Sequence, residues 1–212
     1  MKRRLTIIMA VLIAATVVAH AGTQATNTNT VSPTLQVSAN VQKAVQLTLS
    51  TGTVAAAHCA VAAGGGGNDY SMNFGTVDGL GINAGNCNKF SPTTPGVSNA
   101  VYWSDYQLTP VFSSQSVSTN TITAQVTTTF GGVANGTSNL IIVRDTANSS
   151  TLPASAASFS NMGSASADTI ATNATNGTAI TRYIGIAVTP ANGASVLTGN
   201  QSATVTFTLT VQ

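Results

Sequence analysis

Apolar and polar residues alternate along several stretches of this chain, and the first of these is the longest. Leu35, Val37, Ala39 and Val41 fall on alternate positions, Lys43 interrupts them, and Val45, Leu47 and Leu49 resume the period. A period of two places all of them on one face of an extended strand. About 15 residues at about 3.3 Å each reach roughly 50 Å, whereas strands typically run about 5–6 residues. One small domain does not hold that length in one piece. The chain is therefore expected to divide near Lys43, into an N-terminal arm over residues 31–42 and a first domain strand over about 45–50.

Further strands are expected downstream. Tyr70, Met72 and Phe74 alternate and then meet the turn residues Gly75, Asp78-Gly79 and Gly81. Residues 101–112 are the most aromatic segment. Ile122, Ala124, Val126, Thr128 and Phe130 alternate ahead of Gly131-Gly132, and the apolar run from Leu140 to Val143 suits a central strand. Ile180, Ile184, Ile186 and Val188 share one face ahead of Pro190 and the turn pair Asn192-Gly193. At the end, Val205, Phe207, Leu209 and Val211 alternate with threonines; such a strand must pair inside the sheet or present an edge to another molecule. The long Ala/Ser/Thr/Asn stretch from 147 to 177 reads as surface loops with one weak strand. The glycines from 64 to 67 read as a mobile loop. They lack the Gly-Lys-Ser/Thr ending that a phosphate cradle requires.

Composition agrees with the pattern. There is no glutamate, charged residues make up 6%, and Thr, Ser, Asn, Ala, Gly and Val dominate. Helix formers with charged faces are scarce and β-branched and turn residues abundant, so an all-β fold is expected. About 190 residues suffice for one sandwich-type domain with its own core.

The beginning of the chain carries a different signal. Met1-Lys2-Arg3-Arg4 is positively charged, residues 5–19 are largely apolar, and Ala19-His20-Ala21 fits a small-x-small cleavage site, which together predict a signal peptide over 1–21. The apolar run is shorter than the roughly 20 residues a membrane-spanning helix needs. Residues 22–42 would then form a polar lead-in and the arm, and 43–212 the domain. Removing the leader leaves Lys43, Lys89, Arg144 and Arg182 against Asp69, Asp78, Asp105, Asp145 and Asp168, one net negative charge. No basic patch is left to neutralise phosphates, which argues against a nucleic-acid partner.

In an exported chain the two cysteines, Cys59 and Cys87, are expected to pair. Closing the loop between them stabilises by roughly 3.5 kcal/mol on the chain-entropy account. A metal site using His58 beside Cys59 lacks the spaced ligand pairs that tetrahedral zinc requires. No cofactor and no catalysis are expected: neither a Ser-His-Asp triad nor a carboxylate pair has a signature here. Aspartates 69, 78, 105 and 145 sit near turn residues and are expected to form turns rather than a calcium loop.

Three features resemble fimbrial pilins of the chaperone–usher type and the related spore coat protein U-like domains. These are the alternating Leu35–Val41 segment behind a leader, Met72-Asn73-Phe74-Gly75 close to a cysteine pair, and the alternating C-terminal strand from Thr204 to Val211. The resemblance implies an immunoglobulin-like β-sandwich of about seven strands in a Greek key, incomplete until a neighbour donates its N-terminal strand. It implies a donor role for Leu35, Val37, Ala39 and Val41, and a Cys59–Cys87 disulfide. It also implies a groove flanked by the strand bearing Val205, Phe207, Leu209 and Val211. Copies of the same chain or related subunits would be the partners, with a periplasmic chaperone and an outer-membrane usher in transit. The place would be the cell surface, reached by Sec export. The alternative is a monomeric secreted carbohydrate-binding adhesin using Tyr102, Trp103 and Tyr106 as a stacking platform. Against it, alternating aromatics also fill sandwich cores.

Overall fold

The computed structural model describes residues 36–39, 44–64, 67–113, 119–190 and 197–212. The chain divides into two units, Met1–Val41 and Gln42–Gln212. The expected signal peptide over 1–21 lies outside the described residues. In the first unit residues 36–39 carry no sheet pairing, and Val37 is 83% exposed.

The second unit is all-β. Its strands are β1 (Val45–Thr51), β2 (Val61–Ala63), β3 (Tyr70–Met72), β4 (Asn88–Phe90), β5 (Ala100–Phe112) and β6 (Asn120–Thr128). They continue with β7 (Leu140–Asp145), β8 (Phe159–Asn161), β9 (Asp168–Thr172), β10 (Ile180–Val188) and β11 (Thr204–Val211). The larger sheet runs β1-β5-β10-β7-β8, with β4 also on β5. A second sheet runs β11-β6-β9, and β2 and β3 form a separate hairpin. Every ladder among the described residues is antiparallel.

The axis of the larger sheet is β5, 13 residues long. Along one edge it pairs with β10 from Ala100 to Leu108. The other edge is shared end to end by β4, opposite Val101–Trp103, and β1, opposite Tyr106–Phe112. Alternation sends Tyr102, Tyr106 and Leu108 inward to meet Ile142, Ile186 and Val188 of their own sheet and Ile122, Ala124, Val126 and Ile170 of the other. That shared interior makes the two sheets a sandwich.

Unusually for an antiparallel sheet, the outer face of the larger one is covered too. Val101, Trp103, Ile141, Val143, Tyr183 and Ala187 form a second cluster there. Trp103 stacks on Phe90 at 5.4 Å and meets Tyr183 edge-on at 5.8 Å. The Tyr183 hydroxyl donates to the Ser150 carbonyl at 2.8 Å, fastening the loop after β7 over this face. Burial on both faces explains why β5 and β7 read as nearly continuous apolar runs rather than alternating ones.

Two charged side chains tie the sheets together internally. Arg144 on β7 grips Asp168 on β9 through Nε at 3.0 Å and Nη2 at 3.3 Å. Arg182 on β10 donates from Nε to the Ile170 carbonyl at 2.7 Å.

Among the described residues the expected seven strands become eleven. The additions are short segments: β2 and β4, on either side of the expected β3 in the insert between β1 and β5, and β8 and β9 within the stretch read as loops with one weak strand. Their pairing is set by partners distant in sequence. The sandwich has two ends. Ala100, Leu140, Val188, Thr128 and Thr204 mark one, and Val45, Phe112, Asn120 and Val211 the other.

Candidate functional site

The two sheets part along one side, between the outermost strands β1 and β11. Among the described residues β1 pairs only with β5, and β11 only with β6. In an antiparallel pair alternate residues turn both backbone groups outward, so the free side of β11 offers about four residues' worth of unpaired N–H and C=O.

A partly enclosed cavity of about 1330 Å³ lies beside Leu47 and Leu49 of β1 and Thr204–Phe207 of β11. Its apolar lining comes from Leu47 and Leu49 of β1, Tyr106 of β5, Ile184 and Ile186 of β10, and Val205 and Phe207 of β11. Phe207 packs on Tyr106 with ring centres 5.5 Å apart. Further lining comes from a wall built by Val61 and Met72 of the β2–β3 hairpin with residues 73–79, from residues 197–204 leading into β11, and from Phe130, Leu140, Ile142 and Val188. The alternating β1 and β11 side chains pack only partly against the core. Among the described residues, Leu47 and Leu49 on β1 and Val205, Phe207 and Leu209 on β11 are only half-buried.

The insert that forms this wall is anchored in three ways. Cys59, just ahead of β2, is bonded to Cys87, just ahead of β4. Ser104 and Asp105, neighbours on β5 pointing to opposite faces, hold the approach to Cys59. The Cys59 N–H donates to Ser104 Oγ at 2.9 Å. Asp105 is fully buried, accepts from the backbone of Val54 at 2.7 Å and Ala55 at 3.1 Å, and lies 2.6 Å from His58 Nδ1. An ionised carboxylate only accepts, so Nδ1 carries the proton. Burial raises the Asp105 carboxyl, but hydrogen bonds from Val54, His58 and Ala55 outweigh it and hold the group below the ordinary carboxylate range.

A Cβ at Gly52 would fall inside the Asp105 carboxyl group. Gly52→Ala is therefore expected to displace Asp105 and cost about 2–4 kcal/mol, as a buried overpacking does together with loss of hydrogen bonds. Chemical denaturation measures it; an unchanged midpoint would mean that the loop gives way instead.

Third, Asp78 locks the turn at the groove's far end. Its carboxylate accepts from the N–H groups of Leu80 at 2.9 Å, Ile82 at 3.1 Å and Asn83 at 2.7 Å. The Tyr102 hydroxyl donates to the Asn83 carbonyl at 2.9 Å, and Lys89 Nζ donates to the carbonyls of Gly81 and Asn83. Burial raises the Asp78 carboxyl, and hydrogen bonds from the N–H groups of Asn83, Ile82 and Leu80 and from the Tyr102 hydroxyl bring it below its usual value.

The expected site residues fall as follows. Leu35 and Val41 lie outside the described residues, and Val37 and Ala39 are exposed and unpaired. The cysteines are bonded to each other as expected. Val205 and Phe207 line the groove, Leu209 packs partly against the core, and Val211 occupies the last rung opposite Asn120.

Two readings need correction. Tyr102, Trp103 and Tyr106 form no platform: all three are buried, Tyr102 and Tyr106 inward and Trp103 in the cluster on the opposite face. Asp105 is not a turn residue but sits mid-strand as a buried anchor. Sequence reasoning missed its pairing with His58 because 47 positions separate the two. Among the described residues no group of three His, Cys, Asp or Glu side chains is placed to hold a metal. Among them, too, no helix is long and apolar enough to cross a membrane. Comparison with protein-family models, curated proteins and solved structures finds no match to this chain.

Proposed function

We propose that this chain is an exported structural subunit of a surface filament or coat, and that it polymerises by donating its N-terminal arm to the groove of the next copy. The observation that carries the reading is the open apolar groove beside the unpaired edge of β11. On this reading β1-β5-β10-β7, within the sheet β1-β5-β10-β7-β8, and β6-β11, within the sheet β11-β6-β9, would play the parts of A-B-E-D and C-F in an immunoglobulin-type sandwich, with β8 and β9 outside that frame. In that architecture a further strand, G, lies beside F, where β11 has its free edge.

The arm supplies what the groove lacks. Leu35, Val37, Ala39 and Val41 place aliphatic side chains on one face of a strand, Leu35, Val37 and Val41 each worth roughly 1.5–3 kcal/mol on full burial and Ala39 about 0.8 kcal/mol. The arm's backbone would complete the ladder on β11, recognition by β-strand addition. Donation from one copy to the next does not close on itself, so the product is an open filament. An uncovered groove of this size also explains why a chaperone would accompany the chain through the periplasm to an usher. The adhesin alternative loses its support with the burial of its three aromatics.

Electron microscopy of the mature protein is expected to show filaments. A chain lacking residues 31–42 should form none, and a synthetic peptide of those residues should bind it and raise its Tm. Filaments that persist without the arm would sink the reading.

A further inference from the structure

The turn locked by Asp78 presents Leu80 and Ile82 to solvent, 50% and 77% exposed, at the Ala100 end of the sandwich. We infer that this turn is a second contact between successive copies, packing against the Val45 end of the subunit whose arm fills the groove. The inference rests on the strand-donation reading and adds to it a surface outside the groove.

Direction comes first. All the described ladders are antiparallel, and a strand completing the β11 sheet in that sense runs against β11. Since β11 runs from the Ala100 end to the Val45 end, the incoming arm enters at the Val45 end and finishes near Thr204. Its last apolar residue, Val41, is thus delivered to the acceptor's Ala100 end.

Tether length decides the rest. Only four residue steps separate Val41 from Val45, at most about 14 Å of extended chain. The donor's Val45 end is consequently held against the acceptor's Ala100 end, at the high local concentration that a short tether imposes.

What meets there is apolar on both sides. Val45 is 54% exposed. On the acceptor, the turn bearing Leu80 and Ile82 continues directly from Val77, Asp78 and Gly79, which line the Ala100 end of the groove. Gly79 lies against Pro190, and Gly81 against Pro92 and Ala100, which fixes the turn at this end. Four groups hold its shape: the Asp78 carboxylate, the Tyr102 hydroxyl, Lys89 and the prolines beneath. A turn held this firmly offers two aliphatic side chains with little ordering left to lose on contact. Isolated exposed aliphatics are ordinary; rigid ones at the exit of a strand-accepting groove are placed to be covered.

The test uses the full mature chain carrying Val45→Cys and Ile82→Cys. These positions lie at opposite ends of one subunit, so oxidation can join them only between copies. The expected result is a ladder of covalent oligomers on a non-reducing gel, with either single variant stopping at dimers. A second variant, Leu80→Ser with Ile82→Asp, touches only exposed side chains. It should bind the 31–42 peptide as the parent does, while its filaments release subunits roughly tenfold faster in denaturant. Filaments with no ladder and unchanged release would overturn the end-to-end contact alone. Absence of filaments and of peptide binding in the parent would instead overturn strand donation, and this inference with it.

Discussion

Moving residues 31–42 from the front of the domain to its rear, behind a short flexible turn after Gln212, is expected to yield a monomer that no longer polymerises and resists unfolding better than the parent domain. The transplanted strand would lie along the free edge of β11 with Leu35, Val37, Ala39 and Val41 over the groove lined by Leu49, Ile184 and Phe207. Leu35, Val37 and Val41 each gain roughly 1.5–3 kcal/mol on burial and Ala39 about 0.8 kcal/mol, and ordering the segment consumes part of that. A net gain of at least about 2 kcal/mol, or roughly 5 °C in Tm, is the expected scale. Val37→Asp within the transplanted strand should remove most of it, because a carboxylate would be buried without a partner. Light scattering reports the monomer and calorimetry the Tm. A transplanted chain that still polymerises, or melts with the arm-deleted domain, would show that the groove does not take this strand.

The largest loss from a single side chain is expected at Asp105. Asp105→Ala empties a buried site and removes the acceptor of the buried Ala55 N–H, of the Val54 N–H and of the His58 imidazole, which is 30% exposed, a loss expected to cost about 2–4 kcal/mol. His58→Ala leaves both backbone donors paired and should cost about 1–3 kcal/mol. The pH dependence follows from direction. In the folded chain Asp105 titrates below its unfolded value near 3.9, so the unfolded state binds the proton more readily. Its stabilisation is complete above that unfolded value and drains away as pH falls through the folded one. Asp78 and Asp168 are depressed as well and act in the same sense. Asp105→Asn should therefore flatten part of the acid side of the stability curve. Urea titrations between pH 2 and 6 compare the two, and an Asp105→Ala variant within about 1 kcal/mol of the parent would refute the anchoring role.

Where one face of a strand meets the core and the other meets water, the alternation was readable. It placed β11 at Thr204–Val211 and came close for β1 and β6; β10 was found at Ile180–Val188 from its isoleucines although both of its faces are covered. The same legibility extended to half of the groove, since β1 and β11 are its flanks. Elsewhere the physical signal was absent or masked. Trp103 and Tyr102 point to opposite faces, yet both are buried, so β5 shows no period and its aromatics imitate a binding cluster. The β2–β3 hairpin is two three-residue strands whose pairing rests on an insert folded by a disulfide and Asp105. Mid-strand aspartate carries no local mark that separates it from a turn residue. Its role is written in His58 and Val54, on the far side of that insert.

The bond between Cys59 and Cys87 spans the segment that contains the hairpin and all of residues 73–79, so this part of the groove wall is closed covalently at its base. Under the strand-donation reading this gives maturation an order of events. A reduced chain would keep its two sheets but have an unfastened wall, and so would offer an incoming strand a poorer seat. Oxidation would then act as a checkpoint before assembly: a chain that had not passed through an oxidising compartment would be left out of the filament, so that polymerisation before export would be suppressed by the thiol chemistry of the chain itself.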